Sequence, residues 1–449
     1  MGATEHGVEL APLTTMRVGG PADTLVTAET LDEVVAAVRA ADEAGTPLLL
    51  LSGGSNLVIA DDGFRGTVVR IATKGVRVES THDEHVDVVV AAGEVWDDVV
   101  ARAVAEGWSG IEALSGIPGL AGATPVQNVG AYGQEVAQTI TRVRVWDRDE
   151  RRERTFTAQE CAFTYRHSVF KETGRHVVLE VTFRLGRGGL SAPVAYADLA
   201  RQLGVEQGER VPLAAAREAV LAQRGIRGMV LDAADHDTWS CGSFFTNPIL
   251  PAERFDELVE RAAQRLGPQG PTPPVFPAGE GLVKTSAAWL IDKAGFGKGH
   301  AMPGPAALST KHTLAVTNRG TATAADIAAL ARDEGCAAIL VAGDAFDDNT
   351  IGDKDIVRTL DAMAGFPGPW VMLPGNHDAA LPVSVWTRIR AGGAVPVDLR
   401  IADTPDVTML ADGRLAVLAA PLTRRHEGQD VTGWFDRAET PAGAARVSR

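Results

Sequence analysis

Residues 115–133, SGIPGLAGATPVQNVGAYG, constrain this chain more than any other stretch. Five glycines (116, 119, 122, 130 and 133) and two prolines (118 and 125) fall within it. That density ends any helix, and the spacing lacks the alternation of a strand. What remains is an ordered loop whose bare backbone N–H groups can approach a phosphate or the edge of an aromatic ring. Gln127, Asn128 and Tyr132 stand between the glycines, where they could read polar edges of a ligand. A solvated linker would be rich in lysine and glutamate, whereas this run is rich in alanine, valine, isoleucine and proline. The loop is expected to be buried against a bound molecule.

A second glycine loop precedes it. TTMRVGGPAD (14–23) gives a turn signal after Arg17, and LDEVVAAVRAADEAG (31–45) reads as an amphipathic helix closed by Gly45. PLLLLSGGSNLVIA (47–60) reads as an apolar strand, a Ser52-Gly53-Gly54-Ser55-Asn56 turn and a returning apolar strand. Taken alone, that turn needs no ligand. VDVVVAAGEVWDDVVARAVAEG (86–107) then reads as strand, turn and helix. Two small α+β units each offer one glycine loop, enough to hold the two ends of a dinucleotide-sized ligand. No G-x-G-x-x-G opens a helix after a strand, so a Rossmann site is excluded and a flavin fold of another kind is implied.

At 449 residues the chain should form two to four domains. A net charge of −15 argues against nucleic acid or an anionic membrane as partner. No run approaches a membrane span, and MGATEHGVEL lacks the basic start and apolar core of a signal peptide. Cys161, Cys241 and Cys336 show no C-x-x-C spacing, so a cytoplasmic location is expected and a structural zinc is not. Oligomeric state is not legible in the sequence.

IPGLAGATPVQNVGAYG, with LSGGSNLVIA before it and FTYRHSVFK (163–171) and CGSFFTNP (241–248) after it, resembles the UDP-N-acetylenolpyruvoylglucosamine reductases. These are flavoenzymes of peptidoglycan precursor synthesis, also called UDP-N-acetylmuramate dehydrogenases, and the resemblance runs over about residues 10–333. It implies an α+β fold: a two-lobed FAD-binding unit of the vanillyl-alcohol-oxidase (PCMH) type over 1–75 and 76–188, then a substrate domain over 189–333. It also implies NADPH as hydride donor and a UDP-sugar substrate. FAD would be held non-covalently, since neither glycine loop contains His or Cys. Its implied ligands are Ser52, Gly53, Gly54, Ser55 and Asn56 in the first loop, and Gly119, Gly122, Ala123, Pro125, Gln127, Asn128, Gly130, Ala131 and Tyr132 in the second.

Reduction of an enolpyruvyl ether needs a cation on the developing enolate and an acid to protonate the carbon. Arg166 matches the family's catalytic arginine; its planar guanidinium can take a carboxylate bidentately, and its apolar neighbours predict partial burial. Ser243 matches the proton donor. A serine hydroxyl is a poor acid, so Gly242 is expected to allow close approach and Phe244-Phe245 to wall off solvent. Asn247 is expected as a nearby polar contact, and Cys241 as a small packed residue. Tyr196 aligns with a diphosphate contact of one family branch, and Arg227 stands where a lysine is usual.

The resemblance stops near the end of a predicted helix, ATAADIAALARDEG (322–335). The family carries a third catalytic group, a glutamate on a short strand after that helix. Only Glu334 is near, at the helix end rather than on a strand, so turnover is expected to be impaired. Residues 334–449 instead resemble part of an α/β calcineurin-like metallophosphoesterase of the DNA-repair exonuclease type. AILVAGDAFDDN (338–349) and WVMLPGNHDAAL (370–381) carry that resemblance. It implies vestigial metal and phosphate roles for Asp344, Asn376 and His377. The opening Asp-x-His of that family is missing, since the sole Asp-x-His is Asp83-Glu84-His85 inside the flavin unit. No functional metal is expected in the tail. Two other readings stay open: a metal-dependent phosphoesterase or nuclease, and a catalytically impaired FAD-binding chimera. A joint is expected in or just after 322–335, leaving an unpaired edge and a bare apolar face in the substrate domain unless AAILVAG (337–343) fills the place.

Overall fold

Short apolar runs parted by glycine turns become strands in the computed structural model, which describes residues 2–171, 173–245, 247–279, 281–333, 339–342, 356, 370–373, 381, 384–391, 399–410, 415–419, 421, 437–440 and 445–448. The chain divides into two compact units, residues 1–171 with 175–330, and residues 172–174 with 331–449.

In the first unit, one sheet has the order β1 (Ala3–Glu9), β2 (Pro21–Ala28), β4 (Phe64–Ile71), β3 (Leu48–Leu51). Helix α1 (Leu31–Ala44) buries Val34, Ala37, Val38 and Ala41, the face its 3.6-residue period predicts. A capping box between Thr30 and Glu33 starts it, and Gly45, at φ 63°, ends it in the left-handed conformation. The expected return strand at 57–60 does not form. Ile59 packs instead against Gly19, where a Cβ would lie 2.9 Å from the Ile59 Cβ, and the Ala60 carbonyl accepts from Gly20. Ser52–Asn56 is therefore not a hairpin turn.

The second sheet runs β11 (Arg152–Thr157), β10 (Ile140–Asp147), β12 (His176–Arg187), β6 (His85–Ala91), β5 (Val76–Thr81), antiparallel throughout, with β7 (Trp108–Ser109) on the end of β12. Helix α2 (Trp96–Ala105) and α1 join this sheet in one core that includes Trp96, Phe183, Leu179 and Val38. Burying each of these large side chains contributes about 1.5–3 kcal/mol. The glycine loop at 115–133 crosses this core as irregular backbone. Its only regular pieces are a 3₁₀ turn at Ala121–Ala123 and a short hairpin of β8 (Gly130–Ala131) with β9 (Gln134–Glu135).

Helices α3 (Ala197–Leu203) and α4 (Leu213–Ile226) pack around Leu199, Ala216 and Val220. A small sheet follows, ordered β13 (Ile249–Pro251), β15 (Leu282–Lys284), β14 (Phe276–Pro277), with α5 (Ala252–Leu266) and α6 (Ala287–Ala294). The hairpin of β16 (Ala306–Leu308) and β17 (Val316–Asn318) is two-stranded among the described residues, yet all six of its residues are buried. Met16, Val18 and the Ile327 and Leu330 face of α7 (Ala324–Asp333) share its core. Its edges are partly taken by loops: Leu308 donates to the His300 carbonyl and Asn318 to that of Trp239, each at 3.0 Å. The expected bare face is thus covered.

In the second unit, β18 (Ile339–Ala342), β19 (Trp370–Leu373) and β20 (Leu399–Ile401) pair in parallel. Helix α8 (Val385–Ala391) follows β19 in the chain, and β21 (Asp406–Leu410), β22 (Leu415–Ala419) and β23 (Ala445–Ser448) make a second sheet. The apolar run at 339–342 finds its partner in β19, so it does not stand in for a strand of the β16–β17 hairpin. Continuous apolar strands of this kind suit a parallel sheet.

Candidate active site

The two glycine loops meet as bare backbone. A Cβ on Gly53 would lie 2.7 Å from the Cα of Gly119, and one on Gly54 (φ 59°) 2.2 Å from the Leu13 carbonyl. On Gly122 it would fall 2.5 Å from the Ala92 Cβ. Only glycine fits these three points. Ser52 Oγ is buried beside this contact with no hydrogen-bond partner, which marks a donor held for something else. The start of the second loop is pinned by Asp97, whose Oδ1 accepts from Gly116 N and from Arg217 Nη1, each at 2.6 Å. Burial alone would raise the Asp97 carboxyl, but Arg217 and the Gly116 N–H outweigh it and hold it below the usual range.

Arg166 is knit into the same loop. Its Nη2 donates to the Gly130 carbonyl at 2.6 Å and its Nη1 to the Asn128 carbonyl at 3.0 Å. Glu135 stands 3.7 Å away, and the side chain is half-buried, as its neighbours predicted. Both Arg166 (φ 58°) and Asn128 (φ 45°) hold left-handed backbone, an uncommon conformation that persists only where the surroundings enforce it. Asn128 does not offer its side chain to a ligand: Nδ2 donates to Glu135 and to the Thr164 carbonyl, and Oδ1 accepts from Ala137. Its part is to brace the loop. Tyr132 instead meets Arg227 and Tyr196: its hydroxyl accepts from Arg227 at 3.2 Å and its ring meets Tyr196 edge-on at 5.7 Å.

Ser243 is exposed on a loop opened by Gly242 (φ 84°), and its hydroxyl makes no hydrogen bond among the described residues. Phe244 and Phe245 are 43% and 47% exposed, so they do not wall off solvent here. Chain geometry explains why: Phe244 N–H is tied to the Leu314 carbonyl, and neither ring enters a buried cluster. Asn247 is committed to the fold, accepting from Ala287 N at the start of α6. Cys241 is half-buried, and burial pushes its thiol up to about 11, so it is no nucleophile. Thr15 links this segment to the first glycine loop, its N–H bonding the Gly54 carbonyl at 3.1 Å and its hydroxyl the Ser240 carbonyl at 2.6 Å.

Arg227 opens onto a cavity of about 380 Å³ lined also by Lys298, Thr310, Lys311, His312 and Thr313. Burial, then Arg227 and Lys298, push the His312 imidazole below its ordinary value. Its Nδ1 accepts from Leu314 N, so the neutral ring carries its proton on Nε2. The sequence pointed to Arg227 as a substrate-side cation but not to Lys298, Lys311 or His312, which tertiary packing alone gathers around it. It also missed Lys284, whose Nζ sits 4.1 Å from the Tyr165 ring centre beside Arg166. Arg224 was missed too: it is buried, with Nε unpartnered, and a Cβ on Gly116 would lie 3.6 Å from that atom. The Arg-x-x-Arg spacing at 224 and 227 was its one signal. Asp344, Asn376 and His377 lie outside the described residues.

Two abutting bare-backbone loops and an unpartnered, buried Ser52 hydroxyl form a cradle for a dinucleotide, and these residues fit FAD. Comparison with known proteins agrees. An FAD binding domain matches residues 22–155, the C-terminal domain of UDP-N-acetylenolpyruvoylglucosamine reductase matches 233–334, and a calcineurin-like phosphoesterase matches 319–413. The UDP-N-acetylenolpyruvoylglucosamine reductase of Streptomyces coelicolor is 61% identical over 330 residues, which cover 73% of this chain and 84% of that protein. The chain belongs to the UDP-N-acetylenolpyruvoylglucosamine reductase family. The reductase of Thermobifida fusca is 56% identical over 328 residues, 73% of this chain and 92% of the relative. The crystal structure of the reductase from Thermus caldophilus superposes with a TM-score of 0.51 at 25% identity, over 74% of this chain and 95% of that one. Like other members of the reductase family, the chain is an FAD-dependent oxidoreductase, here carrying a phosphoesterase-like segment that follows it in the sequence. Among the described residues no helix is long and apolar enough to cross a membrane.

Proposed function

We propose that the chain reduces the enolpyruvyl ether of UDP-N-acetylglucosamine to the lactyl ether of UDP-N-acetylmuramate, with NADPH as the source of hydride. The observation that carries this reading is Arg166 bonded to two carbonyls of the flavin loop, at 2.6 and 3.0 Å. A guanidinium fixed there can hold the substrate carboxylate against the flavin ring. Bound FAD supplies hydride transfer from the nicotinamide to the terminal enol carbon. Arg166 then stabilises the charge gathering on the adjacent carbon and its carboxylate, and Lys284 adds a second cation nearby. Ser243, with its hydroxyl unengaged, donates the proton to that carbon. Arg227, Lys298 and His312 suit the diphosphate, and Tyr196 and Tyr132 can flank it.

The family's terminal glutamate has no counterpart at the end of α7, so turnover is proposed to be slow. The test is substrate-dependent NADPH oxidation by the full chain, beside a chimera in which residues 335–449 are replaced by the C-terminal segment of the Streptomyces coelicolor relative. Faster oxidation by the chimera supports the reading. No substrate-dependent oxidation by either protein, with FAD bound in both, would sink it.

A further inference from the structure

The Asp-x-His that the sequence offered to no function sits at the tip of the β5–β6 hairpin, and there the fold brings a third donor to it. His82 and His85 flank the Asp83-Glu84 turn, closed by a bond from His82 N to the His85 carbonyl at 2.8 Å. The two imidazoles stack, with ring centres 4.4 Å apart and planes 27° from parallel. Asp87 lies two residues beyond His85 and so on the same face of β6. One ligand atom from each of His82, His85 and Asp87 lies within 4.8 Å of the other two.

We propose that His82, His85 and Asp87 form a binding site for a borderline divalent transition-metal cation such as Zn²⁺. Two imidazoles and one carboxylate suit zinc, nickel or copper, whereas calcium and magnesium prefer all-oxygen shells. The donors are already brought together. Arg187 holds the tip from behind, its N–H on the Glu84 carbonyl at 2.9 Å and its Nη1 on the His82 carbonyl at 2.7 Å. Asp87 is shared with Arg184, which donates through Nε to Oδ1 at 2.8 Å and through Nη2 to Oδ2 at 2.9 Å. Ser80 fills the second lone pair of Oδ2 at 3.1 Å. Oδ1 keeps one lone pair, and that is the one left for a cation. Arg184 keeps the carboxylate ionised and oriented, as a supporting hydrogen bond does for metal ligands generally. The exposed side of the tip leaves a fourth position for water. The nearby guanidiniums of Arg184 and Arg187 oppose a dication and the carboxylates of Asp83 and Glu84 favour it, so the two imidazoles carry the binding.

The site would clip the hairpin rather than take part in the reduction, so its test is independent of turnover. Full-length protein, stripped with a chelator, is titrated with Zn²⁺ against a chromophoric indicator. It is compared with His82→Ala, His85→Gln and the double variant, and with His6→Ala as an exposed control on β1. The wild type and the control should bind one more equivalent than the double variant, and each single change should weaken that equivalent by about tenfold or more. In the unaltered protein, Zn²⁺ should shield His82 and His85 from diethyl pyrocarbonate, read by peptide mass. Equal stoichiometry and affinity in the wild type and the double variant would overturn the proposal and assign any bound zinc to other residues. Unchanged labelling of both histidines would overturn it even if a variant failed to fold.

Discussion

Arg166 and Gly130 fit each other: a Cβ on Gly130 would lie 2.7 Å from the Arg166 Nη1, while the Gly130 carbonyl takes Arg166 Nη2 at 2.6 Å. The glycine both anchors the arginine proposed to hold the substrate carboxylate and leaves room for it. Gly130→Ala should therefore push the guanidinium off its carbonyls and slow flavin reoxidation by the enolpyruvyl substrate about a hundredfold. Arg166→Lys, which keeps the charge but loses the fork, should do the same. The check is single-turnover mixing. Reoxidation within a factor of two of the wild type in both variants would show that the fork is not what positions the substrate.

Ser243 offers the cleaner separation of the two half-reactions. Its hydroxyl is exposed and unengaged, so Ser243→Ala removes the proposed proton donor without disturbing a hydrogen bond of the fold. Flavin reduction by NADPH should be unchanged, and reoxidation should slow by about 10²–10⁴-fold. Equal slowing of both steps would count against a proton-donor role.

Local rules made part of this molecule readable before any coordinates. Thr30, Glu33 and Gly45 announce α1 because capping chemistry is fixed by neighbours in the chain. The glycines at 53, 54, 119 and 122 announce two ordered loops because close backbone approach leaves little or no room for a Cβ there. What was misread depends on distant partners. LVIA at 57–60 looks like a strand, but Ile59 spends its apolar surface on Gly19. Asn128 looks like a ligand reader, but Glu135, Thr164 and Ala137 take its side chain. Lys298, Lys311 and His312 carry no motif that points to Arg227, and only the folded chain puts them around one cavity.

That cavity should make nucleotide binding depend on pH. In the free protein His312 sits below its ordinary value of 6.5, through burial and then the charges of Arg227 and Lys298. A bound diphosphate supplies the opposite charge and raises it again, so binding takes up a proton. Affinity for UDP, measured by calorimetry, should therefore tighten as pH falls from 8 toward 6, and the slope should flatten in His312→Gln. A slope of the same size in the variant would place the titrating group elsewhere.

Asp147 is fully buried and paired with Arg175 at 2.7 Å, and it accepts the Glu150 N–H at 3.1 Å. Burial would raise its carboxyl, but these partners outweigh it and bring it down from 3.8 to about 2. A carboxyl depressed in the folded state stabilises the protein above its unfolded value and loses that effect as pH falls through the folded one. The contribution is about 2 kcal/mol. Asp147→Asn should thus unfold more easily than the wild type at pH 7 by about that much. The pH-dependent part of the gap should close between pH 4 and pH 2. Urea melts across that range provide the measurement, and a gap independent of pH would refute the assignment.

The last expectation concerns the joint. The reductase C-terminal match ends at 334 and the phosphoesterase match begins at 319, so both claim the residues of α7. A helix claimed by both matches is a place where one coding sequence could pass into another without a visible break. Packing assigns most of the helix to the reductase side: Ile327 and Leu330 are buried with Met16, Leu308 and Val316, and the compact units divide after Leu330. Limited proteolysis should therefore leave a yellow fragment ending between Leu330 and Ile339, with FAD still bound. A chain cut back to residue 333 should keep the flavin content of the full protein and melt within a few degrees of its flavin transition. If the full chain resists cleavage in that interval and loses flavin and tail in one cooperative step, the two parts fold as one unit and the joint is not where the two families meet.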